Sequence, residues 1–308
     1  MYRGRFAPSP SGPLHFGSLV AATASYLEAR TQGGEWLVRM EDLDTPRVVS
    51  GAADEILRTL EAYGFSWDGP VMYQSQRNHA YQAALAALQA QGLAYPCGCS
   101  RKEIADSVTL HSALQGNSAL QGIEGLVYPG TCRHGLPAGK QARAWRVLTD
   151  SRAIQFVDAV QGLQSQRLDT AIGDFVLKRA DGLYAYQLAV VVDDAEQQIS
   201  HVLRGADLLD STARQRYLQQ LLGLSQVHYA HVPVASNAAG EKLSKQTLAK
   251  PLDSTNAGTN LWHCLRFLGQ LVPQALQRAP SMELWQWALA HWKLEQVPQQ
   301  RSIRVDAH

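Results

Sequence analysis

Residues 5–18 read Arg-Phe-Ala-Pro-Ser-Pro-Ser-Gly-Pro-Leu-His-Phe-Gly-Ser. A strand-like run, Tyr2 to Phe6, enters this turn, and an Ala-rich helical segment from Leu19 to about Ala29 leaves it. Gly12 and Gly17 let backbone approach a ligand with no Cβ in the way. Ser18 is the expected N-cap, and the free N–H groups at such a helix start favour an anion. His15 stands beside that anion position. The chemistry suits a nucleotide phosphate and is built without a GxxxxGK[ST] loop.

Three further clusters could act with it. Arg39-Met40-Glu41-Asp42-Leu43-Asp44-Thr45-Pro46-Arg47 concentrates both signs of charge after a buried strand. Lys242-Leu243-Ser244-Lys245-Gln246 places two ammonium point charges on a flexible stretch, a form suited to moving phosphates. Cys97-Gly98-Cys99 and Cys132 supply three thiolates, one short of a closed zinc site. On chemistry alone His134 is the attractive fourth ligand, and three free buried thiols are the alternative. Cys264 sits on an apolar helical face and reads as core.

The elements that must carry these groups alternate. Glu35 to Met40 reads as a second strand, 50–63 and 78–91 as helices, Ile199 to Leu203 and Val227 to Ala235 as strands, and 211–222 as a helix; Ala185 to Asp194 could be strand or buried helix. Alternation of this kind predicts an α/β fold with a parallel sheet. From Tyr95 to about Gln166 the chain reads as irregular and turn-rich, with a tandem Ser-Ala-Leu-Gln-Gly duplication inside 112–122. Such a loop insertion costs little extra closure entropy. Beyond Gln246, Trp-rich segments at about 261–276 and 281–294 read as a small helical appendix.

The chain has 308 residues, 45% apolar and 18% charged, with a formal net charge of +1. This allows roughly two domains and announces no polyanion partner by bulk charge. No apolar run reaches spanning length. The N-terminal apolar stretch is broken by Pro8, Pro10, Pro13, His15 and Gly17, which argues against a secretory leader. Four cysteines do not make a disulfide framework, so a cytoplasmic location and no membrane association are expected.

In this order, His15-Phe16-Gly17-Ser18, the Arg-Met-Glu-Asp-Leu-Asp cluster, Val191-Val192-Asp193-Asp194, His201-Val202-Leu203-Arg204-Gly205 and Lys242 to Gln246 resemble the catalytic core of class I glutamyl-tRNA synthetases. Ser18 replaces the second His of the His-Ile-Gly-His motif, and Lys-Leu-Ser-Lys-Gln departs from Lys-Met-Ser-Lys-Ser at two positions. The length leaves no room for an anticodon-binding domain. With Cys-x-Cys followed by Tyr-x-x-x-Cys, the chain is similar to the truncated paralogue family, the glutamyl-queuosine tRNA(Asp) synthetases. These attach glutamate to queuosine at the wobble position of tRNA(Asp).

The resemblance implies a class I Rossmann-like parallel sheet with an inserted zinc-containing subdomain and a small C-terminal helical appendix. Its spans would be 1–94 and 171–236 for the catalytic halves, 95–170 for the insertion and 237–308 for the Lys-Leu-Ser-Lys loop with the C-terminal region. It implies His15, Lys245 and Lys242 as catalytic, and Pro8, Gly12, His15, Gly17, Ser18 and Lys245 around ATP with its Mg²⁺. L-Glutamate would meet Arg5, Phe6, Ala7, Pro8, Ser9, Glu41, Tyr186 and Arg204. The charges agree: Glu41 can neutralise the ammonium, and forked guanidiniums can hold carboxylates. An Arg on the side-chain carboxylate would reject glutamine by on the order of 2–5 kcal/mol. One structural zinc would be held by Cys97, Cys99, Tyr128 and Cys132, with His134 the alternative to Tyr128. The partner would be tRNA(Asp) bearing queuosine, read by scattered cations such as Arg101, Lys102, Arg133, Arg143 and Arg146, and the enzyme is expected to be a monomer. A minimal glutamyl-tRNA synthetase charging a 3′ end, or a silent RNA- or zinc-binding paralogue, are the alternatives.

Overall fold

The computed structural model of the chain describes residues 1–107, 121–123, 125–237, 240–243 and 250–305. Ser244, Lys245 and Gln246, and most of the duplicated stretch, lie outside the described residues. Strand β1 (Arg3–Phe6) pairs in parallel with β2 (Glu35–Met40), Arg5 opposite Leu37, and β2 pairs in parallel with β3 (Met72–Tyr73). Helix α1 (Phe16–Thr31) makes the crossover between β1 and β2. Its buried run, Leu19 to Leu27 with little polar interruption, suits a helix covered on most sides. Helices α2 (Ala52–Ala62) and α3 (Asn78–Ala90) follow as the periodicity predicts, burying Ile56 and Leu60, then Tyr81, Leu85 and Leu88.

A second sheet carries the other half of the site. The ambiguous segment is helix α4 (Tyr186–Glu196), and β9 (His201–Gly205) runs parallel to β10 (His228–Val232), with Arg204 opposite His231. Helix α5 (Thr212–Leu221) connects them. The Ser200 N–H donates to the Arg3 carbonyl at 3.0 Å, so the entry to β9 meets the edge of β1. Strand β11 (Val234–Ser236) continues from β10 and pairs with β12 (Ser302–Arg304) near the C terminus.

Three expectations change. Helix α1 starts at Phe16, with His15 as the N-cap: its backbone is extended and its Nδ1 accepts from the Ser18 N–H at 3.3 Å. The hydroxyl of Ser18 is therefore not the cap; the ring three residues earlier is. The stretch from 95 to 166 also holds more regular structure than its turns suggest. Strand β4 (Ala94–Cys97) pairs with β5 (Ala144–Val147), which pairs with β8 (Val176–Lys178). The hairpin β6 (Ala153–Asp158) and β7 (Gly162–Arg167) joins β10 through Asp158 opposite Tyr229. Ile154, Phe156 and Asp158 alternate inward along β6, a period-two signal.

Finally, the Trp-rich helices α6 (Ala257–Phe267) and α7 (Ser281–His291) do not stand apart as a small appendix. Leu261, Trp262, Leu284 and Trp285 join Leu19, Leu27 and Trp36 in one apolar core. The Trp285 indole donates to the Tyr63 carbonyl at 2.8 Å. Each indole of this kind carries a large apolar area together with one donor that must be satisfied; the N-terminal half supplies the partner for Trp285, and the Pro273 carbonyl at 3.0 Å supplies it for Trp262.

Candidate functional site

A cavity of about 850 Å³ opens where β1, β2, β9 and β10 end. In parallel α/β sheets this is where ligands bind, because the strand ends and the loops that follow leave a crevice. The end of β1 contributes Arg5 and Phe6, the turn after it Ala7, Pro8, Ser9 and His15, and the start of α1 adds Gly17 and Ser18. Glu41 comes from the end of β2, Tyr186 from the first turn of α4, Arg204 from β9 and Lys242 from the loop after β11. Gly12, with φ +132°, lets the turn fold back and is not among the lining residues. The Glu41 N–H donates to the Pro8 carbonyl at 2.9 Å, which ties the two signature segments together.

Gly17 explains how the His15 motif and the lysine loop share this space. A Cβ there would stand 3.1 Å from the His15 ring and 3.6 Å from the Leu243 carbonyl oxygen. The missing side chain lets the imidazole fold over the helix start and the loop pass close by. Lys242 pairs with Asp207 at 2.5 Å at the mouth of the cavity. Lys245 falls outside the described residues.

The buried charges form an ordered set. Arg5, 3% exposed, donates from Nε to Asp194 Oδ1 at 3.1 Å. Arg39, fully buried in β2, reaches Asp194 at 2.8 Å and Glu41 at 3.5 Å. Burial alone would raise the Asp194 carboxyl, but Arg5 and Arg39 outweigh it and hold it below its ordinary value. Burial wins at Glu41 and pushes it up, against the pull of Arg39, Arg5 and Arg204. An incoming ammonium would relieve that desolvation.

Arg204 is different. Its Nε donates to His231 Nε2 at 3.0 Å; its Nη2 reaches Thr212 Oγ1 at 3.0 Å, Gln215 Oε1 at 2.8 Å and the Leu208 carbonyl at 3.3 Å. Nη1 donates to the Tyr186 hydroxyl at 3.3 Å. Every partner is neutral, and Arg204 makes no ion pair among the described residues. A buried, oriented guanidinium held only by neutral hydrogen-bond partners on a cavity wall is built for an anion.

The sequence reading gives no role in this site to Arg39, Arg47, Asp194, Asp207 or His231. Arg47 and Asp207 also line the cavity, and Asp194 and His231 hold its arginines. The available signal was a charged or polar residue within a buried run, as in Val38-Arg39-Met40 and Ala230-His231-Val232, because such groups are buried only when paired.

The sulfurs of Cys97, Cys99 and Cys132 lie within 4.8 Å of one another. The Tyr128 hydroxyl sits 3.4 Å from Cys97 Sγ and 3.7 Å from Cys99 Sγ and accepts from the Cys132 N–H at 3.0 Å. His134 is exposed and stands outside this group. Burial opposes ionisation of Cys97, but hydrogen bonds from Tyr128, from backbone and from Arg146 outweigh it and lower the thiol. Burial pushes Cys99 up to about 12. Three converging sulfurs with a phenol oxygen and little apolar surroundings fit a tetrahedral zinc ion, which would supply the cross-link that this small cluster lacks.

Two of the cations considered for RNA are used internally. Arg146 stacks its guanidinium 3.8 Å from the Tyr128 ring centroid and donates to Cys97 and to the Asp174 carbonyl. Arg133 forks onto Asp174 at 2.6 Å. Both tie the cysteine cluster to the sheet; Arg101, Lys102 and Arg143 remain exposed.

Residues 1–266 match the family described as tRNA synthetases class I (E and Q), catalytic domain. The Glutamyl-Q tRNA(Asp) synthetase of Dechloromonas aromatica is 62% identical over 306 residues, 99% of each chain. That of Chromobacterium violaceum is 55% identical, over 97% of this chain and 96% of its own. Among solved structures, a glutamate tRNA ligase from Elizabethkingia meningosepticum in complex with its amino acid superposes with a TM-score of 0.77 at 26% identity, covering 98% of this chain and 66% of that one. No described helix is long and apolar enough to cross a membrane.

Proposed function

The chain belongs to the class I tRNA synthetases (E and Q), and within them to the glutamyl-Q tRNA(Asp) synthetases, and on that premise we propose a two-step ligase reaction. In the first step an oxygen of the glutamate α-carboxylate attacks the α-phosphorus of ATP. The bond to the bridging oxygen breaks, pyrophosphate leaves and glutamyl-adenylate remains. In the second, a hydroxyl of queuosine at the wobble position of tRNA(Asp) attacks the acyl carbon. AMP leaves with the bonding pair, and the hydroxyl proton passes to solvent or to the departing phosphate.

The observation that carries this reading is the pairing of Glu41, 10% exposed and raised by desolvation, with Arg204, buried and held by neutral hydrogen-bond partners, in one cavity beside His15 and Lys242. Glu41 suits the α-ammonium. Arg204 and the Tyr186 hydroxyl suit the side-chain carboxylate. Arg5 suits it less well as a direct ligand, because Asp194 already matches its charge. His15, fixed as the cap of α1, and the Lys242 and Lys245 side chains would stabilise charge that builds on the phosphoryl oxygens. Lys242 must exchange its carboxylate partner for phosphate to do so. Mg²⁺ would enter with the triphosphate. Zinc would be held by Cys97, Cys99, Cys132 and Tyr128, away from the reacting atoms. Monomeric action in a reducing cytoplasm, where free thiols persist, completes the reading.

The test follows the label. The protein is incubated with ATP and labelled glutamate, then with tRNA that bears or lacks queuosine. Label on queuosine-containing tRNA(Asp) alone supports the proposal. Label on the 3′ adenosine, or on tRNA lacking queuosine, contradicts it.

A further inference from the structure

Arg204 is held on its Nε side by an imidazole, and a carboxylate stands behind that imidazole. His231, on β10, is fully buried, and its Nδ1 lies 2.5 Å from Oδ2 of Asp158, which is 1% exposed at the end of β6. The other oxygen of Asp158 accepts three backbone N–H groups, from Val160 at 3.1 Å, Gln161 at 2.8 Å and His231 at 3.0 Å. A carboxylate so supplied stays ionised; burial opposes this, but His231 and these donors hold its carboxyl below the ordinary value. Nδ1 of His231 must then carry the ring proton. The ring is neutral, because burial and the neighbouring Arg204 both disfavour a second proton. Nε2 is therefore bare and can only accept. Arg204 has only donors, so the tautomer and the guanidinium match.

We infer that Asp158 and His231 are a positioning pair that fixes Arg204 for an anionic substrate group by imposing the imidazole tautomer whose Nε2 accepts from Arg204 Nε. The inference rests on the reading of Arg204 as a ligand of the glutamate side-chain carboxylate. It explains why orientation comes through a ring. Asp194 touches Arg5 directly and matches its charge. Asp158 acts one imidazole away, so Arg204 is oriented and its charge stays available to the ligand. The same pair gives the β6–β7 hairpin a part in the site, although it lines none of the cavity.

Three substitutions separate positioning from bulk stability. Asp158→Asn keeps an oxygen for the backbone donors but presents an NH₂ to Nδ1. The ring must then carry its proton on Nε2, donor against donor with Arg204, the same tautomer error that an Asp→Asn change produces in a Ser-His-Asp triad. His231→Asn keeps a donor toward Asp158 and loses the acceptor for Arg204. His231→Gln places an amide oxygen near the Nε2 position and restores the acceptor.

Glutamate-dependent ATP–pyrophosphate exchange is measured with glutamate and ATP varied separately, beside melting temperatures. Loss of a hydrogen bond to a charged group predicts KM for glutamate about tenfold or more higher in D158N and H231N. KM for ATP should stay within about twofold, and H231Q should lie nearer the wild type than H231N does. Glutamate KM unchanged in D158N and H231N, equal rises in both KM values, or H231Q no better than H231N would overturn the positioning role. Absence of glutamate-dependent exchange in the wild type would instead overturn the glutamate reading on which it rests.

Discussion

Arg5 Nε lies 3.1 Å from Oδ1 of Asp194, so this cavity arginine meets its ligand with its charge already matched. Arg204 on the same cavity is held only by neutral acceptors. The two should respond differently to truncation. Arg204→Ala should raise KM for glutamate about a hundredfold or more, as expected when a desolvated charge partner is lost, with a modest change in melting temperature. Arg5→Ala leaves Asp194 with Arg39 alone in a buried site and should cost on the order of 3 kcal/mol of stability. Urea unfolding and exchange kinetics on both variants check this; equal stability losses would contradict it.

The Lys242–Asp207 pair makes a second prediction. Both side chains are partly solvated, at 46% and 31% exposure, so the pair itself contributes about 1 kcal/mol or less. Asp207→Asn should leave the melting temperature nearly unchanged. Lys242→Ala should slow adenylate formation about 10- to 100-fold, because its charge acts on the transition state rather than on the fold. Single-turnover adenylate formation reads the effect, and a loss seen only in thermal stability would count against a role for Lys242 on phosphate.

Much of this site is legible in the chain. The turn after β1, the charged cluster after β2 and Arg204 lie at strand ends, where residue type and position agree, and the cavity gathers them. The pairing within the second layer is not legible, for a physical reason. Asp158, His231, Asp194 and Arg39 act through partners between 27 and 189 positions away in sequence, which no local pattern encodes. His15 as a helix cap is not legible because a ring nitrogen takes the place that a hydroxyl usually fills. The helices after 250 read as separate because their tryptophans are amphipathic in isolation; only the fold shows that Trp262 and Trp285 complete the core around α1.

The cysteine cluster predicts one zinc per chain. Cys132→Ser should lose the metal and lower the melting temperature, since a structural site contributes folding energy directly. Tyr128 and His134 separate cleanly: His134→Ala should keep full zinc content, because its ring lies outside the cluster, whereas Tyr128→Phe removes the oxygen nearest the sulfurs. Metal analysis after dialysis against a weak chelator decides between them.

Two histidines predict a pH dependence of stability. Burial lowers His231 to about 4, and burial with the neighbouring His228 lowers His201 to about 4 as well. An unfolded imidazole takes its proton near 6.5, before the folded one does, so unfolding takes up protons between about 6.5 and about 4. Stability is then full above about 6.5 and falls as pH drops through this window, by about 2 kcal/mol between pH 7 and pH 5 for a fully buried histidine. The urea midpoint should fall over that range, and His201→Asn should fall less than the wild type. A midpoint that rises on acidification would contradict the assignment.

The most direct measurement is pyrophosphate exchange into ATP, with L-glutamate and L-glutamine compared on the same protein. Both amino acids carry the ammonium that Glu41 suits, and they differ at the group assigned to Arg204. Exchange supported by glutamate and at least about thirtyfold weaker with glutamine, a ratio of about 2 kcal/mol, is what an Arg204 held only by neutral hydrogen-bond partners predicts. Equal exchange with the two, or exchange with neither, would contradict a glutamate-activating cavity.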